Sequence, residues 1–592
     1  MRSLLKYLAE YKKETVLAPL FKLLEVVFEL TVPLVMARLI DVGILGHRED
    51  VILQMGGLLA LLGFAGFVSA ITAQFFAARA AVGFAANVRM ALFHKIQGFS
   101  FSQLDSIGTK TLTTRLTSDV NLAQNGVNMV LRLILRSPFV IAGATIMAFS
   151  VDVRAAFIFV AVIPLLSLIV FLIMRGTGPL YKQAQGRLDE VLMHTRENLI
   201  GARVIRAFNR EEAESREFDE VNGALTRTQR VTGAIAGLLN PLTQVVVNIG
   251  IIVLIATGAA RVDSGALTQG QVVALLNYMS QILIELVKFA NLIVTISRAM
   301  ASADRISQVL AEPDPEDDGE KNIASDAQED VPAVCFDHVS LRYTGAGAEA
   351  LHDIDFSARA GETVGIIGGT GSGKSSLVHL IPRFYNATEG AVRVFGDDVR
   401  TLRSQSLRQA IGMVFQKVEL FAGTIRENLS FGKASGEDSG EQGVSAADRA
   451  VIEEALAASQ AAEFVGEKPG GAEYVLAQGA RNLSGGQRQR LSIARALMRR
   501  PRILILDDAA SALDFATDLK LRTAIRGLSG SMTIFIVSQR VPSVRFCDRI
   551  LVLDKGHLVG QGTHEELLES CEVYKEIYSS QFMEDASQEA VS

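Results

Sequence analysis

TVGIIGGTGSGKSSLVHLI, Thr363 to Ile381, is an apolar β-type run that breaks into a glycine-rich turn and then resumes with helical spacing. Gly368, Gly373, Lys374 and Ser375 stand in G-x-x-x-x-G-K-S register. Glycines let successive backbone N–H groups point inward at phosphate oxygens, a lysine adds a point charge for the β and γ phosphates, and a serine hydroxyl can ligate Mg²⁺. A glycine-rich turn alone is weak evidence. Lys-Ser, with a strand before and a helix after, makes phosphate binding the stronger reading.

A second stretch, ILILDDAASALD from Ile503 to Asp514, supplies a natural complement. Four aliphatic residues lead into two adjacent aspartates, as a buried strand does when it presents a carboxylate at its end. Asp507 is placed to hold Mg²⁺ through its shell, and Asp508 stands where a base for an attacking water would stand. The bland alternative is two aspartates turning a strand into a loop.

The chain has 592 residues, too long for a single core, so at least two domains are expected. An apolar fraction of 49%, only 21% charged residues and a mean hydropathy of +0.28 point toward a membrane protein. A net charge of −6 gives no basic surface for nucleic acid. Cys335, Cys547 and Cys571 show no CxxC spacing and read as reduced cytosolic thiols.

The long apolar segments fall in the first 310 residues. Six reach the roughly 20 residues that a bilayer core requires: Val16 to Ile44, Val51 to Phe76, Leu133 to Val151, Ala155 to Met174, Gly233 to Ala256 and Ala266 to Ile293. Two long connections, between spans two and three and between four and five, carry Arg89, Lys95, Lys110, Arg115, Lys182, Arg187, Arg196, Arg203, Arg206 and Arg210. The positive-inside tendency therefore predicts that they, both termini and the second domain are cytosolic, in a multi-pass protein of the cytoplasmic membrane. Their low proline content and periodicity predict helices continuing out of the membrane. Two turn-like breaks, Leu112 to Val120 and Glu197 to Phe208, are candidate contacts with a cytosolic domain.

Glu25, Glu29, Asn248, Glu285 and Lys288 lie within these spans. Intramembrane ionisable groups default to a pathway role, although Glu285 and Lys288, one turn apart, could simply pair with each other. Ala311 to Asp330 is acidic, contains proline, lacks periodicity and reads as a linker; Gly432 to Asp448 reads as a surface loop. From Val334 strands interleave with helices. The predicted architecture is an all-α six-helix transmembrane domain (1–310), an acidic linker (311–330) and an α/β P-loop domain (331–592).

Here the chain resembles the ATP-binding cassette (ABC) family. RNLSGGQRQRLSIARAL carries LSGGQ as Leu483 to Gln487, VFQKVELFAGTIRENL carries a Q-loop glutamine as Gln416, VSLRYT places Tyr343 where an aromatic stacks on adenine, and Ser511 to Asp514 match the D-loop. The six-span half with two long connections is similar to the exporter type, with the two breaks as coupling helices. The resemblance implies that ATP is bound by Tyr343, Gly368, Thr370, Gly371, Ser372, Gly373, Lys374, Ser375, Ser376, Gln416 and Asp507, with Mg²⁺ on Ser375, Gln416 and Asp507. It also implies a dimer in which Ser484, Gly485, Gly486 and Gln487 act in trans on the partner's nucleotide.

Two positions depart from the family's pattern. The usual Asp-Glu is Asp507-Asp508 here, and Gln539 in TIFIVSQRVPSV replaces the switch-loop histidine that normally contacts the γ-phosphate. One methylene fewer retracts the carboxylate by about 1.5 Å. Glutamine hydrogen-bonds but carries no titratable charge. The pair resembles the degenerate half of bacterial heterodimeric multidrug exporters. A non-identical half-transporter, a lipid bilayer and an amphipathic small-molecule substrate are the partners this implies; a homodimeric lipid or peptide exporter and an ATP-gated, non-transporting membrane regulator are the alternatives.

Overall fold

A computed structural model describes residues 2–314, 318–323, 331–431, 446–509, 513, 515–527 and 532–589. The chain divides into two compact units, one of Met1–Gln97 with Lys110–Glu312, the other of Gly98–Thr109 with Pro313–Ser592. The predicted surface loop falls mostly outside the described residues, as do Ser511, Ala512 and Asp514 of the predicted D-loop turn.

The first unit is helical. Its long runs are Lys12–Arg38, Glu49–Gln97, Thr109–Val151, Val153–Ile200, Glu211–Asp263 and Gln269–Ala311. The last five are long and apolar enough to cross a membrane. The first, one of the six predicted spans, falls short by composition because Lys22, Glu25 and Glu29 crowd its middle. The 49 residues of Glu49–Gln97 span about 73 Å at 1.5 Å per residue, more than twice a hydrocarbon core of about 30 Å. Sequence sets where these helices begin: Asp152 accepts the Ala155 N–H at 2.8 Å, and Thr268 and Gln271 form a capping box.

Small side chains bring the helices close. Ala144, Ala148, Ala155, Ala156 and Ala274 are buried beside Phe159, Leu254, Tyr278 and Met279, and a Cβ on Gly143 would meet Leu30 at 2.4 Å. The buried Tyr278 hydroxyl donates to the Leu30 carbonyl at 2.6 Å. The second predicted break is present: the helix Val153–Ile200 stops at Gly201 and a short helix, Ala202–Ala207, follows with Leu199, Val204 and Phe208 exposed.

The first predicted break is not where the Thr-rich sequence suggested. Leu112 to Val120 stays helical through a π-turn at Arg115–Asp119, because buried Asp119 is held by Arg115 and Arg305. The break lies earlier, at Gly98–Thr109, which belongs to the second unit. Ser100 and Gln103 form a capping box for the helix Phe101–Ile107, and Gly108 ends it at φ 80°. Within the second unit Phe101 stacks on Phe384 at 4.3 Å and Tyr385 donates to Asp105 at 2.5 Å.

The second unit contains strands β1 (Val334–Leu341), β2 (Leu351–Ala358), β3 (Thr363–Gly368), β4 (Glu389–Val394), β5 (Asp397–Asp398), β6 (Ile411–Val414), β7 (Gly423–Thr424), β8 (Val475–Leu476), β9 (Ile503–Asp507), β10 (Thr533–Val537), β11 (Arg549–Asp554) and β12 (His557–Gly562). One sheet is antiparallel, ordered β2-β1-β4-β5; the larger is ordered β12-β11-β3-β10-β9-β6, parallel except at β12. Every residue of β3, β9 and β10 is buried, the continuous apolar pattern of strands covered on both faces. The predicted linker is not wholly solvated. Its polar groups pair with the strand-to-helix turn beyond β5: the Lys321 N–H donates to the Thr401 carbonyl at 3.1 Å and the Ser404 N–H to Asp318 at 2.7 Å.

Candidate functional site

Three neighbouring parallel strands build the site. In register, Ile366 of β3 lies beside Val537 of β10, and Val537 beside Asp507 of β9. The glycine-rich turn, the aspartate pair and the segment Ser538–Gln539 therefore leave the sheet at one level, beyond the carboxyl ends of the strands, where open α/β sheets bind ligands. They enclose a cavity of about 420 Å³ lined by Thr370, Gly371, Ser372, Gly373, Lys374, Ser375, Ser376, Gln416, Asp507, Asp508 and Gln539.

Backbone conformation explains two of the glycines. Gly371 and Gly373 have φ 79° and 97°, and a Cβ on Gly373 would lie 2.8 Å from the Ala350 carbonyl oxygen. Lys374 follows as the first residue of the helix Lys374–Leu380 and is buried. Its ammonium donates to the carbonyls of Gly368 at 2.9 Å and Gly369 at 2.6 Å, the ring of acceptors a bound phosphate would replace. Burial lowers its pKa despite Asp507 and Asp508 nearby.

Asp507 is buried at the end of β9, and the Ser375 hydroxyl donates to it at 3.0 Å. Burial raises the pKa of its carboxyl, partly offset by that hydrogen bond. A desolvated carboxylate touching a hydroxyl, with the nearest ammonium committed to carbonyls, is an oxygen donor set suited to a hard divalent cation. Asp508 is held at φ 49°: its N–H donates to the Val537 carbonyl at 3.0 Å, and its own carbonyl accepts from Gln489 at 3.1 Å. Aspartate tolerates this left-handed region better than most side chains do. Burial raises the pKa of the Asp508 carboxyl, while the neighbouring Gln416 amide opposes the shift.

Gln539 faces the same cavity, and its side-chain Oε1 accepts from the Thr370 hydroxyl at 3.3 Å. Tyr343 is half-buried, donates to Ser376 at 2.9 Å and meets Tyr385 edge-on; it is not among the residues lining the cavity. Ser484, Gly485, Gly486 and Gln487 stand apart from the cavity. Ser484 caps the helix Gly485–Leu497 in a box with Gln487, and Ser484 and Gly485 are exposed.

Other polar groups escaped the sequence reading. His379 is largely buried with Nε2 3.8 Å from Asp507, and burial lowers its pKa, so it meets Asp507 as a neutral ring. In the helical unit Arg136 joins Glu285 and, at 2.7 Å, Glu29; Ser137 donates to Glu285 at 2.8 Å and Lys288 to Glu285 at 3.1 Å. The predicted Glu285–Lys288 pair exists as one arm of this network. An arginine inside an apolar run, LRLILRSPFV, was the available signal.

The chain matches the ABC transporter transmembrane region over residues 15–286 and the ABC transporter domain over residues 351–511. It is 37% identical over 588 residues to the ABC transporter ATP-binding protein YfiB of Bacillus subtilis, covering 99% of this chain and 100% of that protein. It is 29% identical over 587 residues to an ATP-dependent lipid A-core flippase of Chromobacterium violaceum, covering 98% and 97% of the two chains. A solved structure of a bacterial Atm1-family ABC exporter with ATP bound shares the fold with a TM-score of 0.77 at 24% identity, over 97% of this chain and 99% of that one. With a transmembrane region and an ATP-binding domain on one polypeptide, the chain belongs to the ABC transporter family.

Proposed function

We propose that this chain is one half of a heterodimeric ABC exporter that moves amphipathic or lipophilic small molecules outward across the cytoplasmic membrane, and that its own site binds ATP but hydrolyses it slowly. The observation that carries this reading is the pair Asp508 and Gln539, which line one cavity with Lys374 and Ser375. Lys374 and the turn Gly368–Gly373 would hold the phosphates, and Ser375, Gln416 and Asp507 a magnesium ion. Bound there, the ion neutralises phosphate charge and polarises the terminal phosphoryl group.

Slow hydrolysis follows from this chain's own residues. A general base needs a heavy-atom contact of roughly 2.6–3.2 Å, or one intervening water, to the proton it takes. Asp508 is one methylene shorter than glutamate, which retracts its carboxylate by about 1.5 Å. Gln539 can hydrogen-bond a terminal phosphate but offers it no positive charge. Ser484 and Gly485, exposed, and Gly486 and Gln487, half-buried, lie away from the cavity and would complete a site on a partner that supplies a glutamate and a histidine. Both chain ends and the ATP-binding domain are assigned to the cytosol on the distribution of basic residues.

A second reading, a homodimeric lipid exporter with two weak sites, is favoured by relatives named as lipid A-core flippases. Intact-complex mass measurement separates the two. A mass equal to twice this chain overturns the heterodimer; a complex with a different half-transporter supports it. A non-transporting ATP-gated regulator is overturned if vesicles holding the complex take up a lipophilic dye and lose that uptake when the partner's glutamate is replaced.

A further inference from the structure

The C-terminal helix Glu572–Glu589 reaches back to the switch segment. Tyr574, Ile577, Tyr578 and Gln581 recur at three- and four-residue spacing and so share one helical face. Tyr574 is fully buried, its hydroxyl 2.8 Å from His564 Nδ1, and Ile577 and Tyr578 pack against the same core as β9 and β10. That anchorage carries Gln581 to the backbone beside Gln539. Its amide Nε2 donates to the Gln539 carbonyl at 2.7 Å, and its Oε1 accepts from the Val541 N–H at 2.9 Å.

One side chain thus closes both sides of a two-residue gap. The other end of the segment is tied to the sheet, where the Ser538 N–H donates to the Ile366 carbonyl at 3.0 Å and the Ser538 hydroxyl accepts from the Arg540 N–H at 3.0 Å. With both ends fixed, the direction in which the Gln539 side chain leaves the backbone is set by these bonds. That direction points Gln539 at Thr370, on the rim of the cavity where Lys374 and Asp508 also stand. A P-loop lysine reaches the β and γ phosphates, so the groups around it meet the terminal phosphate that ATP has and ADP lacks.

We infer that Gln581 is a positioning residue: by clamping the peptides on either side of Arg540 it holds Gln539 toward the terminal phosphate and sets how strongly this site prefers ATP over ADP. The inference rests on the reading of the Lys374 cavity as an ATP site. Gln581 does not line the cavity and acts through Gln539. Its two hydrogen bonds are separable, because glutamate at this position keeps the acceptor for Val541 but loses the donor to the Gln539 carbonyl.

The test uses the full-length chain in its membrane complex. Photolabelling of this chain by 8-azido-ATP, competed by ATP and by ADP, reads the preference at its own site. Gln581→Ala is expected to weaken competition by ATP about three- to tenfold and leave competition by ADP unchanged, the scale of one lost hydrogen bond. Gln581→Glu is expected to show a like loss. In a Gln539→Ala background, Gln581→Ala should add nothing. An unchanged preference in Gln581→Ala, or a loss of equal size in the Gln539→Ala background, overturns the positioning role while leaving the ATP site standing. A wild-type chain that takes no label sensitive to Lys374→Ala overturns the ATP site itself, and the inference with it.

Discussion

Gln416 and Asp508 line the same cavity, and the Gln416 amide opposes the upward pKa shift that burial gives the Asp508 carboxyl. Asp508, in the base position, is one methylene shorter than glutamate, and Gln539 in the same cavity carries no titratable charge. Restoring both altered groups should therefore restore chemistry. Asp508→Glu combined with Gln539→His is expected to raise ATP turnover at this site at least tenfold in the reconstituted complex, since a positioned general base contributes roughly 10²–10⁴-fold. Either change alone should give less. The check is steady-state phosphate release from the proposed heterodimer with the glutamate expected of its partner replaced.

The desolvated carboxylate of Asp507 predicts a pH dependence of stability. Its folded pKa lies above the ordinary carboxylate value of about 3.9 because burial disfavours the charge. The folded state then binds the proton more tightly than the unfolded state, so stability is greatest below the unfolded pKa and falls as pH rises through the folded one. Asp507→Asn keeps an acceptor for Ser375 and removes that fall. The nucleotide-free variant should melt a few degrees above wild type at pH 7–8 and show no such difference near pH 3. Adding Mg²⁺ and ATP should reverse the order at pH 7–8, because the variant lacks the carboxylate. Thermal unfolding across pH, with and without nucleotide, checks both halves.

Arg136 joins three helices through Glu29 and Glu285. Removing one partner of a buried ion pair leaves an uncompensated charge, a cost of about 3–5 kcal/mol, whereas removing both partners can be close to neutral. Arg136→Met should lower the melting temperature sharply, and Arg136→Met with Glu285→Met should recover most of the loss. Additive losses in a double-mutant cycle would contradict the coupling.

Phe101 and Asp105 in the short helix Phe101–Ile107 meet Phe384 and Tyr385 of the same unit. This helix is joined covalently at both ends to long helical runs of the first unit. Phe101→Ala removes a ring pair worth about 0.5–1.5 kcal/mol beyond its buried area. ATP photolabelling should stay at the wild-type level while stimulation of ATP turnover by a transported amphiphile falls severalfold. Phosphate release with and without the amphiphile measures this.

Much of the cavity's lining was legible because each element announces itself locally. Lys374, Asp507 and Gln539 each follow the end of an apolar run by a few residues, and the parallel sheet brings those ends to one level. The helical unit was legible in its spans but not in its polar network, because Arg136 and Glu285 are 149 residues apart. The short helix Phe101–Ile107 was missed for a different reason. The Thr-rich stretch Leu112 to Val120 resembles a turn, yet the capping box at Ser100 and the glycines Gly98 and Gly108 mark the real interruption. Gln581 gave no signal at all, since its role depends on a terminal helix returning to a segment 42 residues earlier.

In the proposed heterodimer the site at Lys374 is a slow one that works beside a faster partner. The direct measurement is ATP turnover by this chain purified without any partner, compared with its Asp508→Ala variant and with the complex. Slow turnover in the isolated chain, retained ATP photolabelling, and a large gain on adding the partner are the predicted results. Brisk turnover by the chain alone, unaffected by Asp508→Ala, would contradict it.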